Sequence, residues 1–468
     1  MRTLGQRVAT NTILQLAAKA AVLVIAAVSV AVLTRYLGPA DYGRYALALS
    51  FMQLFGVLAD AGLTTIVVRE ISREPGRAGE LMANGLTLRL LLAFATIALA
   101  GLVSLLLPYE PDVRLAILLA GIPLLFGALN SAITAVLQAE LRMGRAGVAD
   151  VIGRLAAFGG VLLVVALGLG FHAAILAAGA GAAVTLFTTW ALVRPVTRVR
   201  IAAAPELWRA LLRASLPVGL ALALNEAYVR ADSVIISIYR DFDDVGLYSL
   251  AYRILELSTL LGAAFLTSIF PVMARRARDG RMRESVQVAW DVFVIAGAAL
   301  AACGAVLAPE LVRVAGGSEF ADAAEPLRVL LAAGALAFVN GVIGYALIAV
   351  DRQRRALWLN ATGLGVNVAL NLALVPPYGI VAAAVVTLFS ELLVLAGGLW
   401  LAHRHLGFLP NARVLPAALA AAGVTAGALA LLPDTLALLL PAALLLYPPL
   451  VLALSPRARE LAAAGLGR

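Results

Sequence analysis

Ionisable side chains stand in this sequence where almost everything around them is aliphatic. Glu226 and Arg230 lie four residues apart, and Arg253 and Glu256 three apart, inside NEAYVRADSVIISIYRDFDDVGLYSLAYRILE, residues 225–256. At those spacings each pair shares one helix face and can form an ion pair. Asp232 projects nearly opposite to Glu226 and Arg230, so it needs another partner or water. Lys19, Arg89, Asp150 with Arg154, Asp60 and Glu391 occupy further apolar runs. A charge at the centre of a membrane helix costs about 2.5–3.5 kcal/mol on insertion scales, which turns such groups toward protein or a hydrated cavity.

Two kinds of chemistry fit these charges. In the first they are structural ion pairs that hold helices together. In the second, Lys19, Arg89, Arg154, Arg230 and Arg253 line a net-positive cavity that takes an anionic head group while an acyl tail stays in lipid. Asp60, Glu226, Asp232 and Glu391 are then candidates for ion or proton coupling, on burial alone. Covalent catalysis finds no support: there is no GxxxxGK[ST] phosphate loop, no HExxH, and no nucleophile–His–acid set. Cys303 is the single cysteine, and the three histidines, His172, His403 and His405, suggest no metal site. No cofactor is implied, and transport rather than enzymatic chemistry is the expectation.

The elements that must carry these residues are helices. Of 468 residues, 62% are hydrophobic and 13% charged, too few charges for a water-facing surface of ordinary composition. The apolar runs are continuous rather than alternating, which favours helical spans over barrel strands. Fourteen segments are long enough, from 12–33 to 434–453. The basic start leads into a permanent first span with no cleavage signal. With the N-terminus and alternate loops assigned to the cytoplasm, 25 basic residues fall on that side. Five (Arg35, Arg44, Arg114, Arg240 and Arg313) fall outside. That asymmetry places both termini in the cytoplasm of a multi-pass inner-membrane protein. The net charge of +9 is dispersed in short clusters, which argues against nucleic acid.

A repeat runs through the chain at a separation near 203 residues. Asp41, Gly43 and Tyr45 of GPADYGRYALALSFMQL align with Asp244, Gly246 and Tyr248 of RDFDDVGLYSLAYRILEL. Matching elements share one in–out direction, which predicts parallel repeats about an axis along the membrane normal. The fold expected is all-α and polytopic. A six-helix bundle at 1–205 and a second at 206–405 precede two additional spans and a cytoplasmic tail at 406–468.

LTRYLGPADYGRYALALSFMQLFGVLADAGLTTIVVREISRE, residues 33–74, resembles the opening of polysaccharide biosynthesis export proteins. These are the O-antigen and exopolysaccharide flippases of the multidrug/oligosaccharidyl-lipid/polysaccharide exporter superfamily. The likeness resumes at YVRADSVIISIYRDFDDVGLYSLAYRILE, LTSIFPVMARR, AGGSEFADAAEPLRVLL and LNATGLGVNVALNLALVPPYGIVAAAVVTLFSE. It implies two six-helix bundles around a central cavity and alternating-access movement of polyprenyl-pyrophosphate-linked oligosaccharide to the outer leaflet. It implies membrane lipids, a glycan polymerase or glycosyltransferases as partners. It also ranks the substrate-binding candidates: Arg230, Arg253, Arg89, Lys19, Arg154. Gly38, Asp41, Gly43 and Arg69 take fold or gating roles. Peptidoglycan-precursor flipping, multidrug or cation antiport, and a noncatalytic membrane assembly role stand as alternatives.

Overall fold

The computed structural model describes residues 4–140, 143–194, 200–279, 281–433 and 435–465. Arg2, Arg142, Arg198 and Arg468 of the charge count lie outside them. All regular structure among the described residues is helical. Among the described residues ten helices are long and apolar enough to cross a membrane, or eleven if the bent pair Phe242–Leu260 and Phe265–Ala277 is one span. In hydrocarbon a helix satisfies every backbone group within itself, so continuous apolar runs settle into this form.

The first helix, α1 (Leu4–Asp60), holds 57 residues. It would stretch roughly 85 Å if straight, far beyond a ~30 Å hydrocarbon core. It breaks at Gly38, with φ 69° and ψ 175°, and Pro39 opens its second half. Proline is tolerated there because the first N–H of a helix has no acceptor. The 54-residue α12 (Gln353–Leu406) breaks in the same way at Gly379, φ 69°, just after Pro376 and Pro377.

Two compact units divide the chain, Met1–Gly246 and Leu247–Arg468. The first contains α1, α2 (Leu63–Arg73), α3 (Ala78–Leu105), α4 (Pro111–Leu119), α5 (Gly121–Ala139), α6 (Met143–Ala166), α7 (Phe171–Val193) and α8 (Pro205–Tyr239). Small residues let α6 and α7 approach closely: a side chain on Gly153 or Gly181 would strike the facing helix at Thr185 or Ala157. Such contacts replace the hydrophobic drive that lipid removes. The short α2 differs. It buries Leu63, Ile66, Val67 and Ile71 and exposes Thr65, Arg69 and Ser72, the stripe of a helix at a water boundary. There each buried aliphatic side chain contributes about 1.5–3 kcal/mol.

Polar contacts pin α8 to this unit at both of its ends. Near its start, Asn84 of α3 accepts from the Ala204 backbone N–H at 2.8 Å and from Trp208 Nε1 at 3.1 Å. Near its finish, Ser237 and the Tyr109 hydroxyl are 2.8 Å apart. Burial holds the Tyr109 phenol above its ordinary value, with the Ser237 contact opposing.

In the second unit, α10 (Met282–Gly316), α11 (Ala324–Ala349) and α12 surround Phe293, Phe338, Val342 and Leu401. Two further helices, α13 (Leu415–Leu429) and α14 (Leu436–Leu454), dock on α10, where Tyr447 donates to the Ile295 carbonyl at 2.6 Å. The last helix, α15 (Pro456–Gly465), is tied by Arg457 to the buried Asp291 at 2.9 Å.

Candidate functional site

The motif GVLADAGLTT builds a turn around one carboxylate. Ala61 (φ 46°) and Gly62 (φ 77°) end α1 in left-handed conformations. Asp60 then reaches forward: its Oδ1 accepts from the Thr64 backbone N–H at 3.3 Å and from the Thr64 hydroxyl at 2.6 Å. This satisfies a first-turn donor of α2 as a helix cap does. Arg89, entering from α3, donates through Nη2 to Asp60 at 2.7 Å and to Thr64 Oγ1 at 2.6 Å. The arginine is completely enclosed, and its Nε and Nη1 have no protein acceptor. Two nitrogens of a buried cation are therefore left without a protein acceptor. The same turn packs on α8, since a side chain at Gly62 would lie 2.7 Å from the Gly219 nitrogen and 2.8 Å from the Ser215 carbonyl.

The in-span pairs form at the spacings the sequence dictates. Arg230 Nε donates to Glu226 at 3.2 Å, and both are half-buried on α8. In the second unit Arg253 donates to Glu256 at 2.8 Å on α9 (Phe242–Arg278). Asp232 is buried on the opposite side of α8. Lys19 on α1 and Arg154 on α6 are exposed and join no ion pair among the described residues. Asp150 is also exposed and makes no bridge to Arg154. Glu391 is buried on α12, where Asn340 of α11 donates to it at 2.7 Å. Arg69 stands exposed on α2 beside Glu70.

The two repeat motifs meet. A Cβ on Gly43 would overlap the Phe242 carbonyl and lie 2.9 Å from the Gly246 nitrogen. A Cβ on Gly246 would overlap the Pro39 carbonyl and lie 3.2 Å from the Gly43 nitrogen. At the 203-residue offset Gly43 matches Gly246 and Pro39 matches Phe242, so the contact is reciprocal, as in an isologous two-fold interface. Arg44 reinforces it, with its guanidinium 5.1 Å from the Phe242 ring centre and 2.7 Å from Asp41. The matching Asp244 accepts from Arg240 at 2.6 Å and raises that guanidinium's affinity for its proton. Glu110, in the loop that carries Tyr109, lies 3.9 Å from Arg44.

The sequence pattern of the polysaccharide biosynthesis protein family matches residues 8–276, more than half of the chain. The chain belongs to the polysaccharide biosynthesis protein family. A second pattern, MatE, matches 217–373. This polysaccharide biosynthesis protein is 26% identical to the probable low-salt glycan biosynthesis flippase Agl15 of Haloferax volcanii, over 76% of its own length and 75% of the relative's. Its fold is similar to that of the lipid II flippase MurJ in an inward closed conformation. The TM-score is 0.80 at 11% identity, covering 97% of this chain and 100% of that one. It is also similar to an inward-facing multidrug resistance MATE family transporter of the MOP superfamily. There the TM-score is 0.65 at 17% identity, covering 81% and 94% of the two chains. The protein is thus a polytopic membrane protein with the MOP-superfamily fold.

Sequence reasoning missed several residues of this polysaccharide biosynthesis protein that organise the site. Thr64 and Asn84 look like ordinary helix residues, and their partners lie 25 and 120 positions away. Tyr109 and Ser237 are separated by 128 positions. The one signal available was the repeat, which already paired Gly43 with Gly246.

Proposed function

We propose that this polysaccharide biosynthesis protein moves a lipid-linked glycan across a membrane by alternating access, as a transporter that makes and breaks no covalent bond. The observation that carries this reading is that the family match over 8–276 includes all five in-span cations, Lys19, Arg89, Arg154, Arg230 and Arg253. The relative named a glycan biosynthesis flippase, aligned along three quarters of both chains, supports the same reading. The cargo is a polyprenyl-pyrophosphate-linked oligosaccharide, carried from the cytoplasmic to the outer leaflet of the inner membrane, with both termini in the cytoplasm. Its diphosphate is met by guanidinium groups, for which planar two-point hydrogen bonding is the matching geometry. Arg230 is the first choice, since it is a half-buried cation inside a span and within the matched family region. Arg89, enclosed and bonded to Asp60, becomes an anion partner only if the bundles part around it, and otherwise orders its surroundings through Asp60.

The moving bodies in this reading are the six-helix bundles 1–205 and 206–405, followed by two further spans in 406–468. Fourteen passes result if each of the two long broken helices spans twice, the bent pair once, and the short apolar Leu415–Leu429 once. The glycine contact between Pro39–Gly43 and Phe242–Gly246 takes the fold or gating role in this reading.

The test is glycan exposure in vesicles loaded with polyprenyl-pyrophosphate oligosaccharide on one leaflet, read with a membrane-impermeant glycosidase. Time-dependent exposure is expected with the wild type, and loss of it with Arg230→Ala at equal folded yield. Exposure no faster than in protein-free vesicles would defeat the flippase reading, and proton- or sodium-linked drug exchange in the same vesicles would replace it with antiport.

A further inference from the structure

The two ends of α12 converge on a basic surface that the transport reading leaves unused. α11 stops at Ala349, and Asp351 turns the chain in a left-handed conformation at φ 59°. Arg352, Arg354 and Arg355 then lead into α12. Fifty residues later, after the break at Gly379, the helix closes with His403, Arg404 and His405 before Gly407 at φ 73°. The two halves pack together near these ends: a side chain on Gly397 would strike Leu359, and Ala356 and Leu406 lie against the same core.

Three features together mark this cluster. First, it is not neutralised. Arg69, Arg73 and Arg77 pair with Glu70, Glu74 and Glu80, and Arg276 and Arg281 with Glu284. Arg352, Arg354, Arg355 and Arg404 form no ion pair among the described residues, and the neighbouring Asp351 bridges none of them. Second, the imidazole Nε2 of His405 is shielded from solvent inside this cationic group without a hydrogen-bond partner. Third, two large indoles flank the cluster on the α12 surface, Trp358 at 73% and Trp400 at 57% exposure. Arg404 lies over the Trp400 ring at 5.5 Å. Tryptophan prefers the level of lipid head groups. Farther along the same helix Val385, Phe389 and Leu392 are exposed and apolar, a surface suited to acyl chains.

Unneutralised guanidinium groups above an indole pair and an aliphatic helix face match one ligand chemistry: an anionic phosphate head group with its tails along the helix. We propose that the paired ends of α12 form a binding site for an anionic membrane phospholipid. A soluble phosphate would use the arginines but would leave the indoles and the apolar face without a role. This site is independent of which glycan, if any, the protein moves.

The experiment is a thermal-unfolding titration of the purified full-length protein with phosphatidylglycerol and, separately, phosphatidylcholine. Phosphatidylglycerol is expected to raise Tm and phosphatidylcholine to do so far less. Each arginine near a head group strengthens binding about fivefold, so Arg352→Gln/Arg355→Gln/Arg404→Gln together should weaken the apparent affinity at least tenfold. A matched triple, Arg73→Gln/Arg77→Gln/Arg281→Gln, should keep it. Equal loss in both triples, or no preference between the two lipids, overturns the proposal. So does an equal Tm rise with inorganic phosphate alone. Should the first triple fold poorly, the wild type decides: the preference must fade in high salt and persist in Arg404→Lys, and a salt-independent preference sinks the site.

Discussion

The reciprocal glycine contact yields the sharpest prediction. Replacing Gly43 by valine puts a branched side chain where the Phe242 carbonyl and the Gly246 nitrogen already touch the glycine. Ordinary carbon–oxygen contacts lie near 3.3–3.6 Å, so the backbones must part by roughly 1 Å or more. No flexible side-chain end is available to yield, because the obstructing atoms are main chain. Overpacking of this kind costs about 1–3 kcal/mol. Parting also strips the Arg44–Phe242 contact at 5.1 Å, which contributes about 0.5–1 kcal/mol. Together these costs should lower the population of the closed contact relative to a parted one by about 10–700-fold. The assay is the rate of thiol modification at Ser237→Cys, buried beside Tyr109, in a Cys303→Ser background. Labelling should accelerate with Gly43→Val, and also with Gly246→Val. Because both substitutions break one contact, the Gly43→Ala/Gly246→Ala double variant should fall short of the summed single effects by about 0.5–3 kcal/mol. Unchanged labelling and fully additive effects would refute the reciprocal contact.

Other predictions concern the remaining polar ties. Asn84→Ala removes the acceptor shared by Ala204 N–H and Trp208 Nε1 and should cost about 1–3 kcal/mol, read as a lower Tm, while Asn84→Asp retains much of it. Arg89→Leu or Asp60→Ala alone should cost about 3–5 kcal/mol, since each strands a charge, and the double variant should be more stable than Arg89→Leu. Arg230→Ala should move stability by under about 1 kcal/mol, its Glu226 bridge being only half-buried, yet suppress glycan exposure. The raised Tyr109 value means its stabilisation is intact below pH 10 and lost as pH climbs from there through the native value. Tyr109→Phe should remove that part of the alkaline fall in unfolding free energy.

Much of the helical architecture is written in hydropathy, because lipid demands continuous apolar runs whatever their packing. The ion pairs Glu226–Arg230 and Arg253–Glu256 were legible for a similar reason: helix geometry alone decides them. Arg89 was legible only as a charge needing company. Its partner Asp60 comes from another helix, and periodicity carries no information on which helices touch. The breaks in α1 and α12 were hidden in a different way, since Gly38 and Gly379 adopt positive φ while many other glycines here stay helical. The repeat did carry tertiary information, as Gly43 and Gly246 proved to be both equivalent and adjacent. Asn84 carried none, because a buried asparagine resembles any polar residue until its acceptor is seen facing the entrance of α8.

The self-matching turn at Gly43 and Gly246 also bears on ancestry. A patch that fits its own copy requires no second invention: a chain half this long, bearing one such turn, could already have met an identical neighbour through it as a homodimer. Gene fusion would then have preserved the meeting point while freeing the flanks to diverge, leaving Arg44 on one side and Leu247 on the other. Each glycine is now held in place by its counterpart's main chain rather than by its own surroundings. Drift at one copy is therefore constrained by the other, across 203 residues of sequence.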